Sequence, residues 1–242
     1  QKLIGGMLIR QTVGSTNGCI ADLGDDGCRM VCLAEHQTSG RGRRGRNWSS
    51  PFGKNIYMSL GWRFDGGASS LEGLSLVVGL AVRRALGRDD CLKLKWPNDI
   101  LYDGRKLAGI LLEMQGDPSG DCQVIIGIGI NVGMSDIARI DIDQPWADVQ
   151  EISTIDRNNI VANTLNEVVP LLNTFGQQGF ARYVEEWNQC DAFRNSPVKL
   201  ITPAMEQHGI ERGVANNGAI QIEVDGEIRS YSGGELSLRL AQ

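Results

Sequence analysis

The chain has 242 residues, 41% of them hydrophobic and 22% charged, with a formal net charge of −5. That balance excludes a disordered segment and gives no support to a general nucleic-acid binder, which carries a basic surplus. The length suits one large domain, or one large and one small. Six scattered cysteines form no CxxC pair and the two histidines stand far apart, so the usual zinc spacings are missing. No secretory leader opens the chain, and the thiols are expected to be reduced and mostly buried. Its apolar runs are too short for a membrane span, and the expected location is the cytoplasm.

In chain order, residues 8–13 read as a short strand running into Gly14-Ser15-Thr16-Asn17, a polar group suited to a turn or a helix start. Residues 30–34 make a second apolar run of strand length. Gly40-Arg41-Gly42-Arg43-Arg44-Gly45-Arg46-Asn47-Trp48 follows, without apolar periodicity, and cannot be a core element. Residues 56–62 alternate as a strand. The clearest helix covers 69–86: Ser69 and Glu72 have capping-box spacing, and Leu74, Val77, Val78, Ala81 and Ala85 share a face. Residues 92–96 form a strand halted by Pro97, 100–102 resume it, and Asp103-Gly104 turns the chain. Strands over 107–114 and 123–130 flank a turn at 116–120. Helices are predicted over 158–175, which Pro170 should kink or split, and over 180–188. This order predicts an α+β core around a mixed or antiparallel sheet. From Pro197, short strands at 198–201, 210–214, 219–224 and 228–231 predict an appended small β barrel, dividing the chain into 1–195 and 196–242.

Four motifs carry chemistry. The guanidiniums of the 40–48 loop can bind phosphate or carboxylate bidentately, while its glycines let backbone N–H groups approach a ligand. The same loop also reads as a solvated basic tip or a nucleic-acid contact. Trp48 beside it can stack on a base or fill a core. Lys95-Trp96-Pro97-Asn98-Asp99 leaves two polar side chains at a strand end, where Asp99 can face Mg²⁺ or make an Asx turn. Lys106-Leu107-Ala108-Gly109 puts a cation at the mouth of an apolar strand, facing a carboxylate or phosphate, or else is a surface lysine and a bulge glycine. In Ile126-Gly127-Ile128-Gly129-Ile130-Asn131, one strand face is nearly bare and admits a flat ligand or a closely packed helix. Val132 occupies the place of a third glycine, so the dinucleotide-binding fingerprint is not met.

Taken in this order, Ser15-Thr16-Asn17, the 40–48 loop and the segments 95–99, 105–113 and 127–131 resemble the biotin–protein ligase family. Gly233-Gly234-Glu235-Leu236-Ser237-Leu238-Arg239 is similar to that family's C-terminal barrel, so the resemblance spans nearly the whole chain. It implies a class II synthetase-like catalytic core with an SH3-like barrel. It also implies an enzyme that joins biotin to AMP using ATP and Mg²⁺, then passes the biotinyl group to a lysine of a biotin carboxyl carrier protein. By the same resemblance, Ser15, Thr16, Asn17 and Gln37 hydrogen-bond the ureido ring. Gly40, Arg41, Gly42 and Arg43 belong to a loop that closes over biotin and the phosphates. Lys106 meets the biotin carboxylate and the reacting phosphate, making it and Arg43 the implied catalytic pair, and Gly109 lies beside the ring. Trp48, Asn98, Asn131 and Arg239 fall on the ATP side, and Asp99 near the metal. Gly14 departs from the acidic residue many relatives carry before Ser-Thr-Asn. Some relatives have an N-terminal DNA-binding winged helix, for which no room exists before Leu8, so no DNA binding by that route is expected; a homodimer is compatible. The rivals are a lipoate or octanoyl protein ligase, against which the 40–48 loop argues, and a nucleic-acid-binding module resting on the loop arginines and Trp48.

Overall fold

The computed structural model describes residues 3–87, 89–116, 120–134, 142, 144–202, 205–232 and 236–241. Strand β1 (Gly6–Val13), helix α1 (Thr16–Ala21) and strand β2 (Met30–Gln37) form a crossover in which the two strands run parallel. Strand β3 (Asn55–Phe64) follows, then helix α2 (Leu74–Ala85) and strands β4 (Leu92–Lys95), β5 (Asp99–Tyr102), β6 (Arg105–Gly116) and β7 (Cys122–Asn131). All are antiparallel to their neighbours beyond β2, and the seven-stranded sheet has the order β1-β2-β3-β7-β6-β5-β4. Helices α3 (Arg157–Gln178) and α4 (Val184–Cys190) precede strands β8 (Pro197–Ile201), β9 (Glu206–Val214), β10 (Ile220–Val224), β11 (Glu227–Tyr231) and β12 (Ser237–Leu240). These last five form an antiparallel sheet in the order β11-β10-β9-β8-β12. Among the described residues no helix is long and apolar enough to cross a membrane.

The period of two along a strand decides what each sheet face does. Ile56, Met58 and Leu60 of β3 and Ile126, Ile128 and Ile130 of β7 are buried in the main core, with Leu80 of α2 and Leu172 of α3. Burying each such side chain stabilises the fold by about 1.5–3 kcal/mol. On the opposite face, Ile20 of α1 meets Cys32 and Ile125 in a smaller cluster. Both faces of β3 are therefore covered, and Arg63 is its one exposed residue. Three cysteines, Cys32, Cys122 and Cys190, are buried, and Cys91 is exposed.

Several elements depart from expectation. Helix α2 starts at Leu74 rather than near Ser69, because Gly73 adopts φ 77° and a short 3₁₀ turn precedes it. A side chain on Gly73 would lie 2.5 Å from Phe180 Cγ, so close packing fixes this break as well. The Ser69 side chain lies outside what the structure describes. Pro170 does not split α3, which runs unbroken from Asp156, whose side chain accepts from the Asn159 amide. Strand β12 was not expected as a strand. Residues 117–119 of the expected turn and Gly233-Gly234-Glu235 fall outside the described residues.

The C-terminal sheet is tied to the site-bearing strands. Trp96 Nε1 donates to Gly218 O at 3.0 Å, and Ala192 N to Leu94 O at 2.8 Å. Between them, Asp191 and Glu211 bring two buried carboxyls together. Burial, then the Asp191 carboxyl, pushes Glu211 from its ordinary 4.5 up to about 9, and burial raises Asp191 to about 6, with the nearby Arg194 opposing both. Carboxyls with raised pKa values favour the folded state while protonated. Their contribution is complete below the ordinary values and is lost as pH climbs through the folded ones. The melting temperature is expected to fall from about pH 5 to about pH 9. Glu211→Gln, neutral throughout, should flatten that slope in a thermal-melt series; an equal slope in the variant would show that the pair is not its cause.

Candidate active site

The site lies on the α1 face of the sheet, where the Gly-Ile alternation leaves β7 bare. A Cβ on Gly129 would stand 2.6 Å from Trp48 Cε2 and Cζ2, and one on Gly109 3.0 Å from Trp48 Cζ3. These two glycines are cross-strand partners, and the Trp48 indole rests on the floor they make. Two residues along, Gly127 lies so close beneath Asn17 that any side chain would overlap its amide. The bare face thus carries both a helix end and the Trp48 indole, and both line one slot.

Ser15 caps α1, its hydroxyl accepting from Gly18 N at 3.2 Å. The cap aims Thr16 and Asn17 at the sheet. Thr16 N and Oγ1 both donate to Gln37 Oε1, at 2.9 and 3.1 Å, and Gln37 Nε2 donates to Ser50 Oγ at 3.1 Å. Ser59 Oγ lies 2.5 Å from Asn17 Oδ1, and Asn17 Nδ2 donates to Glu113 Oε2 at 2.6 Å. The polar end of the slot is therefore a held network. Ser59, Ser50 and Glu113 belong to it and were not assigned roles from sequence.

The other end is cationic. Lys106 reaches it because of a β-bulge. Asp99 pairs with Gly109 and Ile100 with Ala108, but Leu101 pairs with Lys106, leaving Leu107 as the extra residue. A bulge re-aims the side chains on either side of it. Leu107 turns fully into the core, while Lys106 faces the slot with Gly109. Its Nζ lies 2.7 Å from Asp99 Oδ1 and 5.4 Å from the Trp48 ring centroid. Lys95 Nζ is 3.9 Å from Asp99 Oδ2. The arginine loop folds as a small hairpin, Arg41 bridged to Asn47, with Arg44 and Gly45 at φ 60° and 69° at its tip. Arg43 turns inward, donating to Asn98 Oδ1 at 3.3 Å and Leu236 O at 3.5 Å. Asn98 Nδ2 in turn donates to Ile110 O at 2.9 Å. Burial lowers Arg43 and Lys95 from their ordinary values, with the Asp99 carboxylate opposing. Cations stripped of water and in surplus over one carboxylate favour an incoming anion.

Around this slot is a narrow, partly open cleft. Ser15, Thr16, Asn17 and Gln37 line one end, and Arg41, Gly42 and Arg43 the lid. Trp48, Asn98, Lys106 and Gly109 also line it, with Gly127 and Gly129 of the floor. Asp99 lines the adjoining cleft, together with Lys95, Arg44 and Arg46. Three expected site residues stand elsewhere. Gly40 packs beneath Trp48 O rather than lining the cavity. Asn131 spends its amide N–H groups on Lys106 O and Ala147 O, at 3.2 and 3.1 Å, and so braces the backbone. Arg239 on β12 is exposed and outside both linings, though its charge reaches Lys95.

Residues 27–131, which supply the whole glycine floor and every cation of the slot, match the Biotin/lipoate A/B protein ligase family. Residues 194–239 match the Biotin protein ligase C terminal domain. The bifunctional ligase/repressor BirA of Escherichia coli (strain K12) is 42% identical over 98% of this chain and 75% of its own length. The biotin–[acetyl-CoA-carboxylase] ligase of Paracoccus denitrificans is 36% identical over 78% of this chain and 81% of its own. The solved structure of biotin protein ligase from Aquifex aeolicus, in complex with biotin and ATP, matches with a TM-score of 0.85 at 27% identity, over 98% of this chain and all of that one. The chain belongs to the biotin–protein ligase family.

Proposed function

We propose that this enzyme activates biotin with ATP to biotinyl-5′-AMP, releasing pyrophosphate, and then transfers the biotinyl group to a lysine of a biotin carboxyl carrier protein. The observation that carries this reading is that Arg43 and Lys106 line one cavity with the glycine floor and the Thr16–Asn17 network. Biotin has a flat polar ring at one end and a carboxylate at the other, and the slot offers hydrogen-bonding groups and cations in that order. Its carboxylate is ionised at neutral pH and needs no base. An oxygen of it bonds to the α-phosphorus of ATP while the bond to pyrophosphate breaks. Negative charge concentrates there, and Lys106 and Arg43 stabilise it. Lys95, Arg44 and Arg46 of the adjoining cleft receive the departing pyrophosphate. Trp48 and Asn98 face the nucleotide. The arginine loop, closed over the slot, keeps water from the anhydride until the acceptor amine attacks its acyl carbon and AMP leaves. In this division of labour residues 1–195 carry the chemistry and 196–242 buttress it.

The donor set does not suit a protein-held Mg²⁺. Asp99 already contacts two lysines, and among the described residues no three His, Cys, Asp or Glu side chains could hold a metal together. The ion is expected to come in with the phosphates, which are its preferred ligands, with Asp99 as a protein-side neighbour.

Incubated with ATP, biotin and an isolated biotin carboxyl carrier domain, the enzyme is expected to add one biotinyl mass to one acceptor lysine. An acceptor left unmodified while pyrophosphate is released would overturn the transfer step.

A further inference from the structure

We propose that Glu113 is a positioning residue that holds the arginine loop shut over the loaded site. The proposal rests on the activation chemistry just described. Glu113 sits on β6 on the same face as Gly109, two strand periods away. A single oxygen, Oε2, accepts from two elements far apart in sequence: from Asn17 Nδ2 at 2.6 Å and from Arg41 Nη2 at 3.0 Å. Asn17 cannot drift, since Ser59 holds its carbonyl oxygen and Gly127 lies directly beneath it. The fixed end of this bridge is therefore the ring pocket, and the movable end is the lid.

Arg41 stands at the base of the loop hairpin, bridged to Asn47, so holding Arg41 holds the hairpin whose tip presents Arg43. The ion pair is half in water, with side chains 51% and 33% exposed for Arg41 and Glu113. Pairs exposed to this degree are weak and break readily. That weakness suits a latch which must open for substrate and acceptor in every cycle. Glu113 touches no reacting atom in this scheme. Its contribution is to how long the closed state lasts.

The test is pyrophosphate release from ATP and biotin without acceptor protein. Wild type should give a burst of one pyrophosphate per site, then a slow leak as the intermediate escapes or meets water. The ratio of leak rate to burst rate is expected to rise about fivefold in Glu113→Ala, the upper end for a partly exposed ion pair. Glu113→Gln keeps an acceptor for Asn17 but removes the charge facing Arg41, and should leak nearly as much. The double variant Glu113→Gln, Arg41→Ala should leak no more than Arg41→Ala alone, because both changes remove the same ion pair. An unchanged ratio in Glu113→Gln and Glu113→Ala, or additive leaks in the double variant, would overturn the latch. A wild-type enzyme with no burst would instead overturn the activation chemistry beneath it.

Discussion

Lys106→Ala is expected to lower single-turnover pyrophosphate release by about 10²–10³, the usual loss when one pre-positioned stabilising group is removed. The effect is electrostatic. Lys106 sits in a largely dry slot, its side chain 16% exposed, and the bulge at Leu107 fixes its direction before any ligand arrives. In the free enzyme its ammonium is balanced by Asp99, 2.7 Å away. When the substrate carboxylate and α-phosphate meet, the same ammonium faces new negative charge at no cost in reorganisation. Removing it also leaves Asp99 facing only more distant cations, Lys95 and Arg43 among them, so the slot turns less hospitable to anions. Biotin affinity should therefore weaken along with the rate. Rapid-quench kinetics with calorimetry would measure both, and a wild-type rate in the variant would remove Lys106 from the mechanism.

Gly129→Val is expected to weaken biotin binding by about one to two orders of magnitude, the roughly 1–3 kcal/mol that overpacking a filled site costs. A Cβ at this position would lie 2.6 Å from the Trp48 ring, so the indole has to lift off the floor. Trp48 is half-buried on a loop and can move, so the fold should survive. The slot would not, because the valine displaces the indole that lines it. A calorimetric titration with biotin, alongside circular dichroism to establish folding, checks this. Wild-type affinity in a folded variant would mean that the glycine floor is not where the ring lies.

The parts of this site that obey the two-residue strand period were legible in sequence. Gly127 and Gly129 had to share a face, opposite Ile126 and Ile128, whatever the sheet turned out to be. Lys106 is the contrary case. Its parity matches Ala108 and Ile110, which belong to the core face, and the extra residue in β6 brings it round to the slot. No feature of Arg105-Lys106-Leu107 announces a bulge. The Asn17–Glu113 bond joins residues 96 positions apart and follows from strand order, which local patterns do not encode. Asp99 read as a metal neighbour because its cross-strand lysine partner was invisible to spacing, and the structure makes it first an ion-pair partner. Asn131 looked like a ligand contact at a strand end, yet its amide satisfies two backbone carbonyls instead. The start of α2 was misplaced because the Ser69–Glu72 spacing imitates a cap, whereas the Gly73–Phe180 packing decides it.

The proposed activation needs one cavity to present a vitamin's carboxylate to the α-phosphate of ATP. It is tested most directly by pyrophosphate release from ATP with biotin or lipoate as the only acid. Release that requires biotin, is not supported by lipoate and disappears in the Arg43→Ala, Lys106→Ala double variant is the predicted result. Equal release with lipoate, or release that survives the double variant, would contradict it.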